Sequence, residues 1–289
     1  MMQKTLIGVI GGSGLYNMEA LKNATEQHMD TPFGKPSDAI VTGQIDGVEV
    51  AFLARHGRGH RLIPSEVPYR ANIYAMKKLG VRYVISLSAV GSLSEAAKPL
   101  DMVLPDQFID LTRRRESTFF GAGAVAHASL AQPVCPLLAD VMARAIGQTQ
   151  MPADFQLHRG GTYVCIEGPQ FSTLAESQWY RSMGAKVIGM TNMPEAKLAM
   201  EAQMAYATLA MVTDYDCWHP HEEAVTADTA IANLMKNAGH AQRIAAAAVR
   251  ILGAELPVSK AHSALKMALI TQPDTMAPEV LERLRVILD

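Results

Sequence analysis

The chain has 289 residues, 49% hydrophobic and 19% charged, enough to bury one large core or two modest ones. Its 26 Lys and Arg against 28 Asp and Glu leave a net charge of −2, with no electrostatic footprint for nucleic acid or a membrane surface. No apolar run reaches the roughly 18 residues of a spanning helix, no cleavable leader precedes KTLIGVIGG, and the 3 separated cysteines suit a reducing, cytoplasmic setting rather than a disulfide framework or zinc site.

In chain order, TLIGVI (5–10) reads as the first strand and ends in GGSGL. DAIVTGQI and VEVAFLAR flank Asp46-Gly47, a strong hairpin signal. SEVPYRANIYAMKKLG (65–80) is expected as a helix closed by Gly80, followed by the buried strand YVISLSAVG (83–91). DMVLPDQFID (101–110) and GTYVCIEG (161–168) read as strands around the helix PLLADVMARAIGQ (136–148). The helix LAESQWYRSMG (174–184) leads to the strand KVIGM (186–190), and the helix PEAKLAMEAQMA leads to YATLAMVTDYD. From Ala227 onward the pattern is almost wholly helical. Apolar strands alternating with helices predict an α/β fold, a mixed and largely parallel sheet flanked by helices. With no repeat or linker, residues 1–289 are expected to form a single domain with a helical part from about 227.

In such sheets ligands bind where strands end. Ser13 lies in GGSGL, which lacks both the third glycine of a dinucleotide fingerprint and a P-loop lysine; alone it fits an ordinary tight turn as well as an anion site. Arg55, His56, Arg58 and His60 follow a strand within six residues. Arg offers a planar fork for phosphate or carboxylate, so the cluster reads as an anion site, a solvated turn or a His pair for metal, the last opposed by the intervening glycines. Ser88, Ala89 and Gly91 end the next strand, and Met190 and Thr191 end a later one. Together Ser13, Arg55, His56, Ser88, Ala89 and Thr191 make a cradle without negative charge, suited to inorganic phosphate. Phe171 precedes a helix whose N-cap is Ser172 or Thr173, and is either a core residue or an aromatic wall for a flat base. Asp214 and Asp216 close the final apolar strand; in an extended chain i and i+2 point to one face.

The segments GVIGGSGLY, DTPFGKPSDA, LARHGRGH, AVGSL, DQFIDLT, IEGPQFS, MTNMPEA and TDYDCWHPHEEAV, in this order, resemble the trimeric purine nucleoside phosphorylase family up to about residue 250. The resemblance implies a homotrimer without cofactor or metal, using inorganic phosphate as co-substrate. It assigns phosphate to Ser13, Arg55, His56, Ser88, Ala89 and Thr191, the ribose to Met190, base stacking to Phe171, and a cross-subunit contact to His127. Relatives often carry Thr in place of Ser13 and Ser88, which keeps the hydroxyl, and Arg in place of Gln170. It also gives Asp214 the purine N7 and Asp216 the exocyclic amino group. Related enzymes for 6-oxopurines place Asn at the Asp214 position and Glu at that of Ser172, so both positions here choose adenine. Where relatives that take ordinary nucleosides carry a His near the 5′-hydroxyl, TADTAIANL offers Ala227 and Ala230, a small apolar pocket suited to a methylthio group. The expected reaction is phosphorolysis of S-methyl-5′-thioadenosine, the alternative being phosphorolysis of S-methyl-5′-thioinosine or of purine nucleosides generally.

Overall fold

The computed structural model describes residues 6–12 and 20–289; Ser13 lies outside the described residues. Strand β1 (Leu6–Gly11) is followed by β2 (Lys22–Gln27), β3 (Ile40–Ile45) and β4 (Val48–Ala54). β3 and β4 form the expected antiparallel hairpin. Asp46 and Gly47 both take positive φ, 47° and 81°, the backbone a two-residue hairpin with matching strand twist requires. β2, of sequence KNATEQ, was not foreseen: it is an exposed edge strand on β3 with no apolar alternation to reveal it.

After helix α1 (Tyr69–Lys78) comes the long strand β5 (Val81–Ser92), which pairs in parallel with β1 and with the last strand, β11 (Ala205–Asp214). The expected strand 101–110 divides at Pro105 into β6 (Met102–Leu104) and β7 (Gln107–Asp110). Helix α2 (Pro136–Gly147) precedes β8 (Leu157–Arg159) and β9 (Thr162–Cys165). Helix α3 (Leu174–Ser182), β10 (Ala185–Gly189) and helix α4 (Asn192–Glu201) lead into β11. The result is an 11-stranded mixed sheet in which parallel pairings predominate, as expected from strands apolar on both faces.

Period-2 alternation feeds two cores. Ile7, Val9, Phe52, Ile85, Leu209 and Met211 face α2 and a long helix α5 (Ala227–Glu255). Ile10, Leu53, Val84, Val90, Tyr206 and Val212 face α1, α4 and the C-terminal helix α6 (Pro278–Leu288). The tail is less helical than its composition implied. Leu256 adopts a left-handed φ of 41° before Pro257, which ends α5. Residues 257–277 then hold only two short 3₁₀ turns and a bridge from Leu269 to Ala126.

Candidate active site

The central strand supplies an opening. On one edge β1 pairs with β5 only as far as Ser86, and β10 takes over at Gly91 and Ser92. β11 occupies the other edge as far as Gly91. Among the described residues, no strand covers Leu87–Val90 on the first edge. Ala89 is exposed there although its neighbours Ser88 and Val90 are buried. This is a change of strand order at strand ends, where open α/β sheets bind ligands.

Three of the predicted cradle residues meet at this gap. The Ser88 hydroxyl lies 3.0 Å from that of Thr191, and Arg55 donates from Nη1 to the Leu87 carbonyl at 3.0 Å. Thr191 caps α4 in sequence but makes no side-chain cap bond, so its hydroxyl is not consumed by the helix. The carboxylate for which the Arg55 fork was suited is internal. Nε donates to Glu195 Oε2 at 2.7 Å, and Nη2 to Glu195 Oε1 at 3.0 Å and to Ser86 Oγ at 2.7 Å. The Arg55 side chain is 1% exposed, and of its five N–H groups one, on Nη1, lies beyond these bonds. Its charge therefore stands behind the gap rather than offering an open fork.

His56 is buried against His60, with ring centroids 4.4 Å apart. Its Nδ1 lies 2.9 Å from the Leu62 carbonyl, an acceptor, so Nδ1 carries the proton. Burial, with the Arg55 charge beside it, pushes the imidazole down to about 4. The neutral ring thus leaves Nε2 as a hydrogen-bond acceptor, a match for a P–OH group rather than for a bare phosphate oxygen.

The aspartate pair is buried, but it converges by a turn and not by strand alternation. β11 ends at Asp214, its register slips between Val212 and Asp214, and Asp216 takes a left-handed φ of 53°. The Asp216 N–H donates to Asp214 Oδ1 at 2.8 Å, and the Thr213 hydroxyl to Asp214 Oδ2 at 2.6 Å. Burial raises the Asp214 carboxyl above its ordinary range, and the Asp216 charge adds to this, against the pull of those two donors. Burial also raises Asp216. Ser177 and Ser172 stand near enough to temper that rise, yet neither Oγ, both buried, completes a hydrogen bond with any partner. Two unpartnered hydroxyls thus stand beside a buried carboxyl. Ser172 is free because Thr173 is the N-cap of α3, in a capping box with Glu176.

Gly91 lies opposite Asp214 in the ladder, and a Cβ there would stand 2.8 Å from Asp214 Oδ1 and 3.1 Å from Ile188 Cγ2. Gly91→Ala is expected to displace the Asp214 carboxyl and lower turnover by about 10²-fold, the scale of a 1 Å misplacement. Steady-state kinetics on protein with wild-type circular dichroism checks this; unchanged turnover contradicts the placement of Asp214.

The remaining predicted residues lie around this centre. Phe171 is 43% exposed, on the loop between β9 and α3. Met190 packs toward Gly168 of the same loop, whose Cβ would stand 2.5 Å from its Sδ. Ala227 is exposed and Ala230 half-buried in the first turns of α5, which the Val225 N–H ties to the Asp216 carbonyl at 2.8 Å. His127 is exposed and shares no hydrogen bond with the other described site residues; its backbone N–H donates to Ala268 at 2.8 Å. Sequence reasoning missed Glu195, although it sits in the same MTNMPEA segment as Met190 and Thr191. Nor does the sequence mark Arg115, the last of three consecutive arginines, whose side chain is 1% exposed.

The Phosphorylase superfamily pattern matches residues 6–250. An S-methyl-5′-thioadenosine phosphorylase of Thermosynechococcus vestitus is 60% identical over 282 residues, 98% of this chain and 97% of that protein. One from Geobacter sulfurreducens is 54% identical over 285 residues, 98% of each chain. Among solved structures, a methylthioadenosine phosphorylase from an antarctic soil metagenomic library superposes with a TM-score of 0.95 at 61% identity, covering 99% of this chain and 100% of that one. The Schistosoma mansoni methylthioadenosine phosphorylase in complex with adenine gives 0.82 at 38% identity, covering 87% and 93%. This chain therefore belongs to the phosphorylase superfamily, in one family with the S-methyl-5′-thioadenosine phosphorylases that match it along nearly its whole length.

Proposed function

We propose that this protein phosphorolyses S-methyl-5′-thioadenosine to adenine and 5-methylthioribose 1-phosphate. The observation that carries this reading is the buried Asp214–Asp216 pair at the end of β11, paired across to Gly91 beside the open edge of β5. Phosphate occupies the gap, held by the hydroxyls of Ser88 and Thr191, the Ala89 backbone, His56 Nε2 and the remaining Arg55 N–H; the family resemblance adds Ser13, which lies outside the described residues. Met190 lies along the ribose, Phe171 against the base, and Ala227 with Ala230 beside the methylthio group. The C1′–N9 bond breaks with its electron pair passing into the purine, while a phosphate oxygen forms the new bond to C1′. Asp214, whose carboxyl burial raises above its ordinary range, donates its proton to N7 and so makes the base a better leaving group. Asp216 accepts from the 6-amino group; a 6-oxo group there would face a carboxylate.

The reaction needs no cofactor or metal, phosphate being a co-substrate. The working form is a cytoplasmic homotrimer of single-domain subunits (1–289), in which His127 enters a neighbouring subunit's site. No helix among the described residues is long and apolar enough to cross a membrane. Purified protein should release adenine from the thionucleoside only when phosphate is present, and light scattering on the same sample should give a trimer. Phosphate-independent release or a fully active monomer contradicts the corresponding part of the proposal.

A further inference from the structure

Arg115 comes from the run Arg113-Arg114-Arg115, which composition alone would assign to a solvated face. Its neighbours contradict that. Nη1 donates to the carbonyls of Met190 at 2.7 Å and Met193 at 2.6 Å, and to the Tyr69 hydroxyl at 3.1 Å. Nη2 donates to the Glu167 carbonyl at 2.7 Å and the Ile166 carbonyl at 3.4 Å. Nε donates to Glu167 Oε1 at 3.1 Å. The guanidinium therefore bridges the segment after β9, which runs on to Phe171, and the turn after β10, which carries Met190 and Thr191.

Glu167 is itself held. Its Oε1 accepts from the Ser65 hydroxyl at 2.6 Å, and its Oε2 from the backbone N–H of Arg113 at 2.6 Å and Arg114 at 3.0 Å. Burial raises this carboxyl, but those donors and the Arg115 charge outweigh it and hold it at about 2. The carboxylate is thus fixed on the same loop whose carbonyls Arg115 grips.

The two Nη1 carbonyls lie on either side of Thr191. Met193 departs from helical geometry, at φ −116° and ψ 131°, so the turn between them lacks regular helical bonding to fix it. Thr191 nonetheless keeps its hydroxyl 3.0 Å from Ser88.

We propose that Arg115 is a positioning residue for phosphate: by clamping the Met190 and Met193 carbonyls to the 166–167 segment, it sets the Thr191 hydroxyl and the Met190 side chain at the open edge of β5. This rests on the phosphorolytic reading of the site. A planar fork is essential, because one nitrogen must serve two carbonyls while the other serves a second segment; an ammonium is a point charge without that geometry.

The test compares wild type, Arg115→Ala, Arg115→Lys and Glu167→Gln by phosphate calorimetry and by steady-state adenine release. Both Arg115 variants should weaken phosphate at least tenfold in Kd and KM, with a smaller change in kcat. Lysine should not rescue, and added methylguanidinium should recover phosphate affinity in Arg115→Ala. Glu167→Gln should weaken phosphate at least threefold, and it decides the matter if neither Arg115 variant folds. Phosphate affinity within twofold of wild type in Arg115→Ala, or full rescue by lysine, overturns the inference; so does wild-type affinity in Glu167→Gln. A wild type that binds phosphate but releases no adenine overturns the functional reading and leaves the calorimetric comparison to judge Arg115. A wild type that does not bind phosphate overturns both.

Discussion

Asp214→Asn should reduce adenine release from S-methyl-5′-thioadenosine by about 10²–10⁴-fold, the range for losing general-acid assistance. The fold should tolerate the change. Asn keeps the shape and an Oδ1 acceptor for the Asp216 N–H, which now reaches it at 2.8 Å. What is lost is a transferable proton. What is gained is an amide donor that remains at every pH and never becomes an anion facing a 6-oxo group, so the ratio of 6-oxopurine to 6-aminopurine turnover should rise. The pH profile supplies a second signature. Asp214 is raised by burial and acts protonated, so kcat/KM should fall as pH rises through that raised value. This alkaline fall should be absent from the variant. Stability carries the same sign: a carboxyl raised on folding contributes fully below the ordinary carboxylate range and loses that contribution as pH rises through its folded value. An unchanged base preference in Asp214→Asn would mean that another group contacts N7.

Removing the carboxylate at Glu195 should cost about 3–5 kcal/mol, the penalty for leaving a buried charge without its partner. Arg55 and Glu195 are 1% and 2% exposed, and Glu195 Oε1 also accepts from Ser86 and Tyr206, each at 2.8 Å. Glu195→Ala therefore strands the Arg55 guanidinium and two hydroxyls together. Glu195→Gln should be milder, since one acceptor oxygen remains, but its amide N–H groups meet the donors of Arg55. Unfolding midpoints in urea measure the effect, and the phosphate KM should rise with it because Arg55 loses its fixed position behind Leu87 and Ser88. A Glu195→Ala midpoint equal to wild type would show that the pair is not what holds Arg55.

Much of this fold can be read locally. The Asp46-Gly47 turn, the doubly apolar strands and the helices between them each report on residues close in sequence, and β1, β4, β5 and β11 supply both cores by simple alternation. β2 escaped because an exposed edge strand buries nothing on either face. The tail escaped because Leu256-Pro257 breaks a composition that otherwise favours helix.

The site was legible as strand ends, since the polar and small residues that close apolar runs are visible in one dimension. Its internal pairings were not. Arg55 meets Glu195 from 140 positions away, and nothing local says that its fork is already occupied. The aspartates stand out in the chain as the polar end of an apolar strand, but their convergence depends on a left-handed turn at Asp216 that spacing alone does not specify. Arg115 looked like one charge among three, and only the carbonyls around it distinguish it from Arg113 and Arg114.

In the proposed reaction the Asp214–Asp216 pair selects adenine at a phosphate-dependent site. The most direct measurement is kcat/KM for base release from S-methyl-5′-thioadenosine, S-methyl-5′-thioinosine and inosine, each with and without inorganic phosphate. Release should occur only with phosphate and be led by adenine from the thioadenosine. Release led by hypoxanthine, or equal release without phosphate, would contradict the proposed reaction.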